Sequence, residues 1–227
     1  RLFLCLFQIC LMQLFHCDTF FIGLSAGTVQ ITASSWNGIS DTCMIEVEGE
    51  LLPFDDLIPG TWYYSEVRGA LTQGILRGVG ENRFDPQGAM TRAMVVQMLY
   101  NLEGKAKRKE ISQFIDVPED AWYAEAVAWA KDSGVVTGAT DTEFDPDRPM
   151  TRQELAAVLW RYAGAPHVDG SLRGFSDESE VAEFAVEPLV WMTGKMLLRG
   201  SDGKILPNEQ LTRVEAAVML QRYTEKQ

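Results

Sequence analysis

Residues 114–164 read FIDVPEDAWYAEAVAWAKDSGVVTGATDTEFDPDRPMTRQELAAVLWRYAG. This block aligns without a gap with residues 54–104 at a constant offset of sixty, and sixteen of the fifty-one positions are identical. The matches include Phe54/Phe114, Asp56/Asp116, Trp62/Trp122, Tyr63/Tyr123, Gly74/Gly134, Gly78/Gly138, the Phe-Asp-Pro runs at 84 and 144, and Met-Thr-Arg at 90 and 150. A looser third copy runs from 175 to 223, with Asp177, Trp191, Gly200, Pro207 and Leu211-Thr212-Arg213 in register after small length changes. Such periodicity implies stacked units that complete one another's cores and carry function on the surfaces they form together.

Within the second copy Trp122, Ala126, Trp129 and Ala130 recur at helical spacing, opposite Glu125, Lys131 and Asp132, which predicts an amphipathic first helix. It should stop near Ser133, because Gly134 can adopt the left-handed closing conformation and Val135-Val136-Thr137 favours an extended path. Pro146 then excludes helix until a second one opens at Thr151. Thr151-Arg-Gln-Glu154 and Thr212-Arg-Val-Glu215 fit the capping box, whereas Thr91-Arg-Ala-Met94 keeps the cap and lacks the reciprocal Glu. Leu155, Val158, Leu159 and Tyr162 form the expected buried stripe behind the cap, as do Val214, Val218 and residues 220–223. The fold class is therefore mainly α, three helix-loop-helix repeats.

Arg92, Arg152 and Arg213 are not explained by local structure. Each takes the first helical position, where a cation faces the positive end of the helix dipole at a cost of about 0.3–1 kcal/mol. Three occurrences at one place imply a partner elsewhere. Free helix amides and a guanidinium in one groove would make a carboxylate or phosphate site, while a salt bridge to Asp56, Asp116 or Asp177 would fix one repeat against the next.

The formal charge of −12 excludes a nucleic-acid binder, which needs clustered cations; the one basic cluster, Lys105–Lys109, reads as a solvated linker. Any anionic partner must be met by a few placed cations. The four cysteines, at 5, 10, 17 and 43, all precede the repeats and have no metal spacing, so no metal or cofactor is expected. No Ser/His/Asp set or nucleotide loop is present, and the repeat-equivalent carboxylates suit packing or recognition better than glycoside hydrolysis. The chain is not read as an enzyme.

Ahead of the repeats, residues 1–22 form a hydrophobic segment whose nearly all-apolar part, Leu2 to Phe15, broken only by Gln8 and Gln13, is shorter than the roughly 20 continuous apolar residues of a membrane span. It reads first as a truncated or mis-joined upstream end, and second as a signal-peptide remnant. Val29, Ile31 and Ala33 alternate with polar residues, Asn37-Gly38 signals a turn, and Cys43, Ile45 and Val47 alternate again, which predicts a β-hairpin. Residues 23–49 resemble the closing strands of bacterial immunoglobulin-like domains of type 2.

The ordered set Phe-x-Asp, Trp-Tyr, Gly-(Val/Ile)-(Val/Leu)-x-Gly, Phe-x-Pro and Thr-Arg-x-Glu resembles the S-layer homology family, with repeats at 54–104, 114–164 and 175–223. The resemblance implies a pseudo-threefold assembly on a secreted protein at the cell wall or S-layer surface. It implies non-covalent docking to a cell-wall polysaccharide, often a pyruvylated glycan, or to a peptidoglycan-linked polymer. It also places Arg92, Arg152, Arg213, Asp56, Asp116 and Asp177 along grooves between repeats. A pyruvate ketal is a carboxylate on a sugar, which suits the unexplained arginines. Two alternatives remain open: a self-assembling surface lattice without glycan binding, and the tail of a truncated cell-surface enzyme.

Trp62 and Trp122 have two readings, sugar stacking and core, of which helical spacing favours core; Trp129 and Trp191 read as core. Gly78 and Gly138 permit close approach of a ligand, and a tight turn explains them equally well. In the third copy Phe184-Ala185 replaces Trp-Tyr and Gly194 is shifted against Gly134, so its groove is expected to be the most degenerate. The groove using Arg152 is expected to bind most tightly.

Overall fold

The computed structural model describes residues 27–34, 38, 40–47, 52–104 and 113–226. The apolar segment 1–22 and the basic cluster 105–109 lie outside the described residues. Two antiparallel strands, β1 (Gly27–Ser34) and β2 (Ser40–Val47), pair from Gly27 with Val47 to Ser34 with Ser40 around Gly38 at φ 84°. This is the expected hairpin. Thr32 and Thr42 face each other across it, their hydroxyls 2.9 Å apart.

The rest is mainly α. Each repeat supplies a short helix and a longer one: α1 (Tyr64–Thr72) and α2 (Arg92–Leu102), α3 (Ala124–Asp132) and α4 (Arg152–Tyr162), α5 (Val186–Gly194) and α6 (Arg213–Thr224). The main helix contacts run between repeats: α2 packs on α3, α4 on α5, and α6 returns to α1. The three repeats therefore close a ring, and each interface buries the apolar stripe of a long helix under the short helix of its neighbour. Leu99, Leu159 and Leu220 from the long helices are fully buried in it, with Val67, Val127 and Leu189 from the short ones. Burial of each such side chain contributes about 1.5–3 kcal/mol.

At the centre the chain forms a closed triangle of backbone hydrogen bonds. Met90 N–H donates to Leu211 O, Leu211 N–H to Met150 O, and Met150 N–H to Met90 O, each at 2.8 Å. All three side chains are buried. One extended residue from each repeat meets the other two on a pseudo-threefold axis, so no pair of repeats completes this element alone.

The caps follow the local signals. Thr151 and Thr212 head full capping boxes with Glu154 and Glu215, and Thr91 accepts only from the Met94 amide. Gly74 and Gly134 end the short helices at φ 69° and 73°. In the third repeat this place is taken by Met196, at φ 55°, and Gly194 is the last residue of α5. The core expectation for Trp62 and Trp122 is corrected: α1 and α3 begin two residues after them, and the indoles are 62% and 61% exposed. They precede the helix and sit edge-on to Tyr63 and Tyr123, at 5.4 and 5.1 Å between ring centroids, so helical periodicity does not govern where they point. Trp129 and Trp191 are buried, as expected of core residues.

Candidate functional site

Three loops, 77–86, 137–146 and 199–207, leave the short helices and lead toward the long ones. Each is held by an acid of its own repeat and an arginine of another. Both oxygens of Asp56 accept backbone N–H groups, from Phe84 at 2.9 Å and Asp85 at 2.7 Å. Asp116 does the same for Phe144 and Asp145, and Asp177 for Ile205 and Leu206. Burial opposes ionisation of Asp56 and Asp177, but the amide bonds outweigh it and hold both carboxyls below their ordinary range. With both oxygens occupied, these carboxylates hold the loops and are not free to act as acid, base or nucleophile.

The arginines complete the clamp. Arg213 Nε donates to Phe84 O at 2.8 Å, Arg92 Nε to Phe144 O at 2.8 Å, and Arg152 Nε to Ile205 O at 2.9 Å. The fork of Arg213 also reaches Arg77 O at 2.7 Å, that of Arg92 reaches Thr137 O at 2.9 Å, and that of Arg152 pairs with Glu215. Arg92 and Arg213 lie over the rings of Phe144 and Phe84, at 4.7 and 4.9 Å. All three arginines are buried, and burial draws the Arg92 and Arg213 guanidinium groups below their ordinary pKa. The salt bridge to Asp56, Asp116 or Asp177 is thus corrected: arginine and acid grip opposite sides of one loop and do not bond each other.

The free helix amides are corrected as well. Arg92 and Ala93 N–H donate to Arg148 O and Pro146 O, Arg152 and Gln153 to Glu209 O and Pro207 O, and Arg213 and Val214 to Gly88 O and Pro86 O. The third amide goes to the Thr cap. Each helix start is therefore satisfied by the neighbouring repeat, which places carbonyls where the dipole is positive and accounts for tolerance of a cation there.

Gly78 and Gly138 have a packing reason. A Cβ on Gly78 would lie 2.3 Å from the Phe54 ring and 2.9 Å from Arg83 O, and one on Gly138 would lie 2.1 Å from Thr140 O. Gly200 meets Phe175 and Lys204 O in the same way, at φ 72°. Just before the loop prolines, Asp85, Asp145 and Leu206 are left-handed, at φ 59°, 61° and 58°. That conformation costs a non-glycine residue about 1–2 kcal/mol, and the clamp on the peptide that precedes it holds it.

The loop tips are exposed at the joints between repeats. Tyr123, edge-on to Trp122, has its phenol pKa raised by burial and by the carboxylates of Asp147 and Asp116. Arg77 and Arg83 on the first loop, and Arg199 and Lys204 on the third, are exposed cations that motif reasoning passed over. Their signal is visible only once the two positions flanking the loop glycine and the loop Phe or Ile are compared across copies. Among the described residues no group of three or more His, Cys, Asp or Glu is arranged to hold a metal ion, and no helix is long and apolar enough to cross a membrane.

The sequence model of the S-layer homology domain matches residues 53–93 and 113–156, so the chain carries two repeats of that domain. The chain is 30% identical over 163 residues to the Surface-layer 125 kDa protein of Lysinibacillus sphaericus, covering 70% of this chain and 14% of that protein. It is 28% identical over 116 residues to an endoglucanase of Bacillus sp. (strain KSM-635), covering 51% and 12%. It is 24% identical over 178 residues to an amylopullulanase of Thermoanaerobacterium thermosulfurigenes, covering 76% and 10%. The chain spans 10% to 14% of the length of these relatives. The S-layer homology domain is a non-catalytic anchoring module, and its presence here with surface-layer relatives places the chain at the cell surface, associated with the wall.

Proposed function

We propose that this chain anchors an exported protein non-covalently to the bacterial cell wall by binding a wall polysaccharide, one bearing pyruvate ketals, in the grooves between repeats. Residues 175–223 act as a third S-layer homology repeat, since they repeat the acid and arginine clamp. The observation that carries the reading is that clamp: each loop tip is fixed by two different repeats, which makes three rigid ligand surfaces out of ring closure. Asp56, Asp116, Asp177, Arg92, Arg152 and Arg213 shape these surfaces, with Gly78 and Gly138 letting the loop pack closely. Trp62 and Trp122, exposed ahead of α1 and α3, offer apolar faces to sugar rings.

Sedimentation with purified wall, before and after the polysaccharide is stripped, tests the reading. Loss of co-sedimentation on stripping is expected. Retention on stripped wall, or self-association alone, would overturn it in favour of a lattice-forming module.

A further inference from the structure

The three loops are closed by corresponding backbone bonds, the third being one residue shorter, and carry different charges. In each, a short turn ties the residue after the loop glycine to the residue before Phe or Ile: Val79 N–H donates to Arg83 O, Ala139 to Glu143 O and Ser201 to Lys204 O, at 2.8 to 2.9 Å. The positions that bracket the turn are therefore Arg77 and Arg83, Thr137 and Glu143, and Arg199 and Lys204, all exposed. Between its first residue and its proline, loop 77–86 has two cations against two acids, loop 137–146 three acids and no cation, and loop 199–207 two cations against one acid. In the first loop Arg83 is already paired with Asp85, at 3.2 Å. In the third, Leu206 stands where Asp85 and Asp145 stand in the other copies, and neither Arg199 nor Lys204 forms an ion pair with a described residue.

The third loop also borders a depression of about 490 Å³ lined by Leu172, Phe175, Ser176, Glu178, Ser179 and Val186. Phe175 packs under Gly200, and Ser176 N–H donates to Gly203 O at 2.9 Å, so the backbone of the loop that carries the two cations adjoins the depression. Apolar side chains beside the Ser176 and Ser179 hydroxyls suit a sugar ring, and Glu178 adds one carboxylate to the lining, so the charged part of the ligand is assigned to the loop cations and not to the floor of the depression. Screening at physiological salt acts over about 8 Å, so Arg199 and Lys204 act on an adjacent anion more strongly than the chain's distant acids do.

We infer that the third repeat's loop, with Arg199 and Lys204 beside the Phe175 depression, is the principal seat for an anionic sugar, that loop 77–86 is a weaker second, and that loop 137–146 excludes the anion. The inference rests on the wall-polysaccharide reading above and reverses the expectation that the third copy is the degenerate one. The groove that results is still the one held by Arg152.

Glycine amides supply one nuclear-magnetic-resonance reporter per loop, at Gly78, Gly138 and Gly200. The full chain is titrated with the 4,6-pyruvate ketal of methyl glucoside and with its uncharged methyl ester. The acid is expected to shift Gly200 most, Gly78 less and Gly138 not at all, with the ester weaker throughout. Arg199→Ser with Lys204→Ser should lower affinity at Gly200 by at least about tenfold. Thr137→Arg with Glu143→Lys should install a shift at Gly138. Equal shifts at Gly138 and Gly200, or equal binding of acid and ester, would overturn the inference. A native chain that sediments with wall but shows no acid-specific shift at Gly200 overturns it while leaving wall attachment standing; one that does not sediment overturns both.

Discussion

Asp56 and Arg213 grip one peptide unit from opposite sides. The unit between Phe84 and Asp85 gives its N–H to Asp56 Oδ2 at 2.7 Å and takes an N–H from Arg213 Nε on its carbonyl at 2.8 Å. The acid belongs to the first repeat and the arginine to the third, so the first loop is finished only when the ring closes. The same relation joins Asp116 to Arg92 through Phe144-Asp145, and Asp177 to Arg152 through Ile205-Leu206.

Arg213→Ala should therefore act on stability first. The buried carbonyl of Phe84 and the part-buried one of Arg77 lose their charged donor, and the expected cost is about 2–4 kcal/mol. Lysine should restore only part, because one ammonium cannot reproduce the fork. Urea denaturation checks it; an unchanged midpoint with weakened wall binding would return the arginine to the role of direct ligand contact.

The acids set the pH dependence. Asp177 has its folded pKa depressed below its ordinary value of 3.8, so its contribution is complete above that value and is lost as pH falls through the folded one. Asp177→Asn should cost about 1–3 kcal/mol at pH 7 and flatten the acid limb of the stability curve. Thermal melts between pH 2 and pH 7 measure both; an acid limb as steep as in the native chain would assign the dependence to other groups.

Met196 offers a stabilising change. It occupies the left-handed position that Gly74 and Gly134 fill in the other repeats, and its side chain is half exposed. Met196→Gly should raise stability by about 1 kcal/mol, seen as a higher melting temperature. A lower one would mean that Met196 makes a contact worth more than its backbone strain.

Trp62 and Trp122 should separate binding from folding. Each Trp→Ala variant should leave the melting temperature nearly unchanged, since the indoles are mostly solvated, and weaken wall co-sedimentation by about 0.5–1.5 kcal/mol. Full retention on the wall by the double variant would remove them from the ligand surface.

Deletions test closure. Residues 51–227 should melt as cooperatively as the full chain. Residues 51–164 should not fold, because α1 loses α6, α4 loses α5, Met90 and Met150 lose Leu211, and Phe84 loses Arg213. Circular dichroism and a melt on the two fragments decide it; a cooperative transition in the shorter one would refute a closed ring as the folding unit.

The chain's own periodicity determined the helix pairs, the capping boxes at Thr151 and Thr212, the left-handed glycines and the hairpin, because each depends on residues within a few positions of one another. Local pattern also marked Arg92, Arg152 and Arg213 as anomalous. It could not name their partners, since the carbonyls of Phe144, Ile205 and Phe84 reach them only through the fold, and a carbonyl carries no mark in a sequence. Nor could periodicity show that Trp62 and Trp122 lie outside α1 and α3, because a turn before a helix can point a side chain away from the helical stripe. Tertiary structure alone decided that the repeats close into a ring, that helix amides are filled by neighbouring loops, and that the loop of Arg199 and Lys204 packs on Phe175 and Ser176 at one depression. Those relations are set by which surfaces bury each other, and that depends on all three repeats at once.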